Sequence, residues 1–483
     1  MRNLDLTDTI AAIATPVGES GIGIVRLSGK DALSITDKIF LSKDNQKPSS
    51  FKTYTMHYGW IVDHRVSSVM WHVSNENNAG HKTQDTGHRI IDEVVLTIMR
   101  SPRSFTKEDV VEINCHGGIV AMRAILDLVL ANGARLANPG EFTKRAFLNG
   151  RIDLAQAEAV LDIIRAKTDS ALCMGMQQLK GGLSNRINAV AKALLDVLAL
   201  MESNIDFPDE EIGQADLKKI RQILGGLDNQ LKDILDNARQ GRVLREGISV
   251  VICGKPNVGK SSLLNALLKQ ERSIVTPVAG TTRDTIEEII DIKGIPIKIV
   301  DTAGILEPRD LVERKAVLRS KKYIHAADLV IVLFDGSKAL SKEDELLIRK
   351  LKNKTAIAVI NKIDLVQKLK REKILGKFQH LVELSAKKAK NIDRLEDVIV
   401  DLVYKGRVRS PDSFLISNLR HIEAVRKIEK LIAEAMNSMD NKLSLEFIAQ
   451  DMKDALSCID ELLGKKFSEG LLDKIFSEFC IGK

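Results

Sequence analysis

At 483 residues the chain exceeds one ordinary hydrophobic core, and at roughly 100 to 200 residues per domain it predicts two to four domains. Its composition, 44% hydrophobic, 28% charged and only 4% aromatic, excludes disorder as the dominant state and argues against a core of stacked rings. The 72 basic and 65 acidic residues leave a formal net charge of +7, a mild excess that suits an RNA partner and a solvated mixed-charge surface equally well.

No run approaches the ~18 uninterrupted apolar residues of a membrane helix. The opening MRNLDLTDTIAAIATP carries acids where a secretory signal carries a basic run, so no membrane association and a cytoplasmic location are expected. The five cysteines, Cys115, Cys173, Cys253, Cys458 and Cys480, are scattered without a CxxC pair and read as reduced thiols.

In the first 120 or so residues, β-branched runs (Ile22 to Leu27, Val94 to Met99, Val110 to Ile113) alternate with Gly and Pro punctuation, as in a small mixed α/β domain. The stretch from Ser74 to Thr86 reads as a long surface loop. His72, His81 and His88 nearby lack the tight spacing of metal ligands.

From Asp153 the pattern turns helical: Ala157, Val160, Leu161 and Ile164 share a face, as do Ile187, Val190, Leu194, Val197 and Leu198, before Pro208 ends the run. Ile220, Leu224, Leu227, Leu231 and Ile234 write a further helix.

At Ile248 the texture changes to apolar strands (Ile248 to Cys253, Ile295 to Val300, Leu329 to Phe334, Thr355 to Ile360, Leu381 to Leu384) alternating with helices, which predicts a doubly covered, mostly parallel sheet. Helical spacing returns in Ile448, Met452, Leu456, Ile459 and Leu462. The α/β segment thus reads as an insertion into one helical domain, with boundaries expected at 1–121, 122–246, 247–404 and 405–483.

The strand Ile248 to Cys253 runs into Gly254-Lys-Pro-Asn257-Val258-Gly259-Lys260-Ser261-Ser262, a phosphate loop in strand-loop-helix context. Its glycines let backbone N–H groups wrap phosphates, Lys260 brings a point charge to the β and γ phosphates, and the Ser261 hydroxyl can ligate Mg²⁺. Three further motifs follow strands: Asp301-Thr302-Ala303-Gly304, Asn361-Lys362-Ile-Asp364 and Ser385-Ala386-Lys387. The Asp364 carboxylate accepts from N1–H and the exocyclic amine of guanine, whereas adenine would leave it unpaired, so the predicted substrate is GTP.

Gly280-Thr281-Thr282-Arg283 occupies the place of a first switch, with Thr282 able to reach Mg²⁺ when a γ-phosphate is present. Ras-like enzymes orient the attacking water with a glutamine after the DxxG glycine. That position is Ile305 here, and from the residues alone Glu307, Asp310, Glu313 and Arg283 stay open as the catalytic group.

Asp8-Thr-Ile-Ala-Ala-Ile-Ala-Thr-Pro, Gly21-Ile-Gly-Ile-Val-Arg-Leu-Ser-Gly29, Pro139-Gly-Glu-Phe-Thr-Lys-Arg-Ala-Phe-Leu-Asn149, Asp153-Leu-Ala-Gln-Ala-Glu158 and the terminal Phe479-Cys-Ile-Gly-Lys483 carry a resemblance over the whole chain. It resembles the MnmE (TrmE) family of tRNA-modification GTPases. The resemblance implies a folate-binding N-terminal domain that dimerises, an all-α helical domain and an inserted Ras-like G domain.

The implied reaction, shared with the FAD-containing partner MnmG, adds an aminomethyl or carboxymethylaminomethyl group to carbon 5 of the tRNA wobble uridine. Its one-carbon unit comes from 5-formyltetrahydrofolate or 5,10-methylenetetrahydrofolate.

The resemblance also implies Glu313 as the residue that orients water, and K⁺ in place of an arginine finger, held by Asn257, Thr276, Val278 and Thr281. The implied folate residues are Arg26, Glu112, Arg151 and Lys483, whose charges suit glutamate carboxylates and a pterin N–H edge. Cys480 sits near the end with Lys483 as its basic neighbour.

A ribosome-assembly GTPase would share the phosphate loop, but it would bring a second G domain or a KH module, and no GxxG loop follows Val403. A GTP-gated scaffold without turnover is the alternative from another class.

Overall fold

The structure, a computed structural model, describes residues 7–65, 89–206, 214–270, 288–301, 324–352, 354–404 and 414–483. The stretch from Ser74 to Thr86 and the three histidines near it lie outside these residues. The chain forms two compact units, Met1–Glu158 with Leu463–Lys483, and Ala159–Leu462.

The first unit is built on a seven-stranded sheet of order β3-β4-β5-β6-β2-β1-β7. Its strands are β1 (Ile10–Ile13), β2 (Gly23–Ser28), β3 (Phe40–Ser42), β4 (Thr55–Asp63), β5 (Arg89–Met99), β6 (Val110–Cys115) and β7 (Arg135–Leu136). All pair antiparallel except β1 with β7.

Strand side chains alternate between faces, so Val25, Leu27, Leu96, Ile98, Val111 and Ile113 enter one core together with Met122, Ile125, Leu128 and Val129 of the helix Ile119–Ala131. Each such burial is worth about 1.5–3 kcal/mol, and truncating Met122 to alanine would cost about 2–5 kcal/mol.

The alternation sends Arg26, Glu112 and Thr97 to the other face, where register makes them successive cross-strand neighbours. Ala12, opposite Arg26, joins Ile10, Ala137 and Phe142 in a smaller cluster there, with Phe105 packed against it.

The start of β1 is held by charge. Arg145, 1% exposed on the helix Glu141–Leu148, donates to Asp8 and Glu108. Arg135 donates to Asp8 and Glu141 at 2.6 Å each. Burial works against the Asp8 carboxylate, but hydrogen bonds from Arg135 and Arg145 outweigh it and hold the group below its ordinary pKa. The tail that follows the helix Glu469–Phe476 returns to this sheet, where Phe142 N–H donates to Lys483 O at 3.1 Å.

The second unit surrounds a six-stranded sheet of order β13-β12-β11-β8-β10-β9 with helices. The strands are β8 (Ile248–Gly254), β9 (Glu288–Ile292), β10 (Ile295–Asp301), β11 (Leu329–Asp335), β12 (Ala356–Asn361) and β13 (His380–Glu383). Only β9 with β10 is antiparallel, so the sheet is mostly parallel as the alternating texture predicts. Both faces of β11 are covered, Leu329, Ile331 and Leu333 in one cluster and Val330, Val332 and Phe334 in the other, which is why it reads as an unbroken apolar run.

Helices Gly182–Asp206, Gln214–Asp236 and Leu445–Leu463 contain the three long helical patterns of the sequence. Gln214–Asp236 packs along Leu419–Asp440, burying Ile220, Leu224 and Leu231 with Ile422, Val425 and Ile428. Thr168 caps the helix Asp169–Leu179 by accepting from Ala171 N–H at 3.2 Å, and its hydroxyl donates to Gly294 O, in the β9–β10 turn, at 3.0 Å. Among the described residues no helix is long and apolar enough to cross a membrane.

Candidate functional site

The phosphate loop leaves β8 at Gly254 and closes on the helix Lys260–Gln270. Asn257 (φ 62°) and Gly259 (φ 102°) take left-handed backbone, and a Cβ on Gly259 would collide with Asn361 Nδ2, so this position needs glycine. Lys260 Nζ lies across the loop, donating to Gly254 O at 3.0 Å and Lys255 O at 2.9 Å. Ser261 and Ser262 stand exposed in the first helical turn, beside the N–H groups that such a terminus offers to anions, while Val258 is buried beneath.

Asp301 ends β10, paired with Ile252 of β8, so the chain brings that residue to the same end of the sheet as the phosphate loop. Exposed hydroxyls at a helix N-terminus fit Mg²⁺ with a triphosphate. Thr276, Val278, Gly280, Thr281, Thr282, Thr302, Ala303, Gly304 and Glu313 lie outside the described residues, as do Arg283, Ile305, Glu307 and Asp310.

The base-reading side is tightly wired. Asn361, 2% exposed at the end of β12, donates through Nδ2 to Val258 O at 2.8 Å. Its Oδ1 accepts from Ala386 N–H at 2.9 Å and Lys362 N–H at 2.8 Å. Its amide therefore joins the phosphate loop to the segments that follow β12 and β13. Asp364 accepts from Ser385 Oγ at 2.6 Å, and that bond chiefly holds the carboxyl below its ordinary pKa, so it is ionised at neutral pH as a guanine acceptor must be. Lys387 is exposed next to Ala386.

One participant is absent from the sequence reading. Asp335 ends β11, 8% exposed, and accepts from Lys362 Nζ at 2.7 Å; the same ammonium donates to Asn257 O at 2.8 Å. Burial would raise the Asp335 pKa, but hydrogen bonds from Lys362 and Ser337 prevail and lower it. Its signal was available: an acid at the carboxyl end of a fully apolar parallel strand, where α/β sheets bind ligands.

In the first unit the structure brings Arg26 and Glu112 together, with Arg26 Nε donating to Glu112 Oε1 at 2.7 Å. Arg26 also donates to Gly482 O at 2.9 Å and lies 5.7 Å from the centroid of the Phe142 ring. Arg26 thereby holds the residue that precedes the terminal Lys483, whose own carbonyl accepts from Phe142 N–H. Arg151 is exposed and stacks over Phe105 at 4.7 Å, so both arginines rest on rings of one apolar cluster, Phe142 and Phe105. Cys480 is exposed, and its carbonyl accepts from Gly140 N–H at 3.4 Å.

Comparison with known proteins bears on the family. Residues 154–480 match the family described as MnmE helical domain, and residues 9–151 match that described as GTP-binding protein TrmE N-terminus. The tRNA modification GTPase MnmE of Alkaliphilus oremlandii is 44% identical over 480 residues, covering 99% of this chain and 100% of the relative. That of Clostridioides difficile shows the same identity and coverage. A solved FeoB G-domain from Methanococcus jannaschii is 27% identical and covers 32% of this chain and 98% of its own, with a TM-score of 0.25. The matched regions and the full-length relatives place this chain in the MnmE (TrmE) family of tRNA modification GTPases.

Proposed function

We propose that the chain hydrolyses GTP on its α/β domain and couples turnover to tRNA modification. Together with an FAD-containing protein of MnmG type, it adds an aminomethyl or carboxymethylaminomethyl group to carbon 5 of the wobble uridine. The one-carbon unit comes from a tetrahydrofolate derivative, 5-formyl or 5,10-methylene. The observation that carries the nucleotide part is Asn361, whose amide joins the phosphate loop to the base-reading loops around an ionised Asp364. A site wired in this way is preorganised for guanine before the ligand arrives.

Lys260 and the loop N–H groups bind the phosphates, with Ser261 and Thr282 holding Mg²⁺ and Asn257, Thr276, Val278 and Thr281 holding K⁺. The two cations, when bound, neutralise charge that develops between the β and γ phosphates. Glu313 orients the attacking water. Arg26, Glu112, Arg151 and Lys483 bind the folate; supporting this, the first three border one apolar cluster or its cross-strand neighbour, and the tail carrying Lys483 closes over Arg26.

By function the domains divide as 1–121 for folate and dimer formation, 122–246 and 405–483 for the helical domain, and 247–404 for the G domain, although residues up to Glu158 and from Leu463 belong to the compact unit of the N-terminal sheet. The working form is a cytoplasmic homodimer joined through N-terminal domains, in which GTP draws the G domains together.

The test is multiple-turnover GTP hydrolysis in K⁺ and in Na⁺. Turnover should require K⁺ and be lost in Glu313→Ala with GTP affinity retained; unchanged turnover in that variant would remove Glu313 from its role. Titration with 5-formyltetrahydrofolate, lost in Arg26→Ala, tests the other half.

A further inference from the structure

A cavity of about 390 Å³ opens on the first unit beside Arg151. Arg103, Lys107 and Arg151 supply its charge, Tyr54 and Phe105 its rings, and no acid is among the residues that line it. The acids closest in sequence are engaged elsewhere. Glu108 accepts from Ser28 and Arg145, Asp109 Oδ1 accepts from Ser101 N–H at 2.8 Å, and Asp153 Oδ1 accepts from Gln156 N–H at 2.8 Å.

Lys107 is steadied by one bond, Nζ to Gly150 O at 2.9 Å, which satisfies a single proton of its ammonium and neutralises none of its charge. Tyr54 and Lys107 both hold φ at 59°, backbone that non-glycine residues adopt at about 1 kcal/mol or more and that concentrates at binding sites. Three cations around one partly aromatic cavity repel one another unless an anion joins them.

The cavity shares Phe105 with the apolar cluster that runs under Arg26, and Arg151 stacks on that ring. Arg26 and Arg151 each rest on a ring of this cluster, so one elongated ligand held by both arginines would place its far end in the cavity. Folates have the matching order of chemistry: a flat polar ring system, an aromatic linker, and a chain of γ-linked glutamates.

We infer that this cavity receives the γ-glutamyl tail of the folate, with Arg103 and Lys107 as carboxylate-binding residues beside Arg151. The inference rests on the folate reading given above. A monoglutamyl tail offers two carboxylates to the three cations, and each further γ-glutamyl unit adds one. The second glutamate completes the match, so affinity rises from the monoglutamyl to the diglutamyl form and then levels off.

The experiment titrates the full-length protein with 5-formyltetrahydrofolate carrying one, two and five glutamates, at low and high salt. The diglutamyl form should bind about fivefold tighter than the monoglutamyl form, in keeping with one added partly exposed ion pair, and the pentaglutamyl form little tighter still. The difference should shrink at high salt and collapse in Arg103→Gln and in Lys107→Gln.

Equal affinities for one and two glutamates would overturn the tail assignment and leave the folate reading standing, as would a difference that survives in both variants. Equal affinities accompanied by weaker binding of a tRNA anticodon stem-loop in Arg103→Gln would assign the cavity to RNA instead. Absence of binding by every form would remove the folate reading and this inference together.

Discussion

Asn361 Nδ2 donates to Val258 O over 2.8 Å, which fastens the end of β12 to the middle of the phosphate loop. One side chain thus ties the loop proposed to read the base to the loop proposed to hold the phosphates. Asn361→Ala would strand Val258 O and Ala386 N–H in a buried setting, at about 1–3 kcal/mol for each group. GTP affinity should fall by about 100-fold, read by titration with a fluorescent GTP analogue. A change under about threefold would mean that the loops are positioned by other contacts.

Asp364→Asn tests which base is read. Xanthine carries an acceptor oxygen where guanine carries its amine, so an asparagine amide at this position suits xanthine and leaves guanine mispaired. GTP hydrolysis should drop by about 10³-fold or more and XTP hydrolysis should appear, a reversal expected when the donor and acceptor match to the base is inverted. Equal loss of both nucleotides would assign Asp364 a structural role through Ser385 instead.

The Lys362 clamp has a pH signature. Asp335 is lowered in the folded chain, so its ion pair stabilises fully above the unfolded carboxylate value, near 4, and the contribution is lost as pH falls through the lower folded value. Asp335→Asn should destabilise the G domain by about 1–3 kcal/mol at neutral pH. The gap in unfolding temperature between wild type and variant should stay constant from roughly pH 8 to 5 and narrow below about 4. A gap that widens on acidification would contradict the sign.

Gly482→Ala probes the tail without touching a charged group. The residue has φ of 93°, and a Cβ would stand 2.5 Å from Ile13 O and 3.0 Å from Ala14 Cα. Arg26 then loses the Gly482 carbonyl that fixes its guanidinium. Affinity for 5-formyltetrahydrofolate should fall about tenfold, the worth of one hydrogen bond to a charged group, with the unfolding temperature of the N-terminal sheet unchanged. Equal affinity would show that Arg26 is oriented by Glu112 alone.

What the sequence revealed follows from where the chemistry is spelled locally. The phosphate loop was legible because glycine, lysine and serine must stand at fixed spacing within eight residues, and β11 because burial on both faces leaves it wholly apolar. Asp335 was legible only in part. Its place at the carboxyl end of β11 is spelled in the sequence, but its partner, Lys362, is set only when β12 is laid beside β11.

β4 was hidden for a related reason. Its exposed Met56 and Tyr58 flank His57, so the alternation of apolar and polar residues is blurred in its first half. The pairing of Arg26 with Glu112 depends on the register between β2 and β6, and the buried Arg145 meets Asp8 from 137 residues away. The helical spacing near Leu472 and Phe476 does not announce that Leu463–Lys483 belongs with the N-terminal sheet, because periodicity reports a buried face and not the core it enters.

Strand β10 has Thr168 at one end, bonded to the Gly294 turn that feeds it, and Asp301 at the other, beside the phosphate loop. Its seven residues span about 20 Å, and pairing with β8 on one side and β9 on the other denies it any bend of its own. It stands as a connecting rod: axial travel at the nucleotide end would reach the cap of the helix Asp169–Leu179 through the Gly294 turn alone, so the helical layer could register nucleotide state as a displacement.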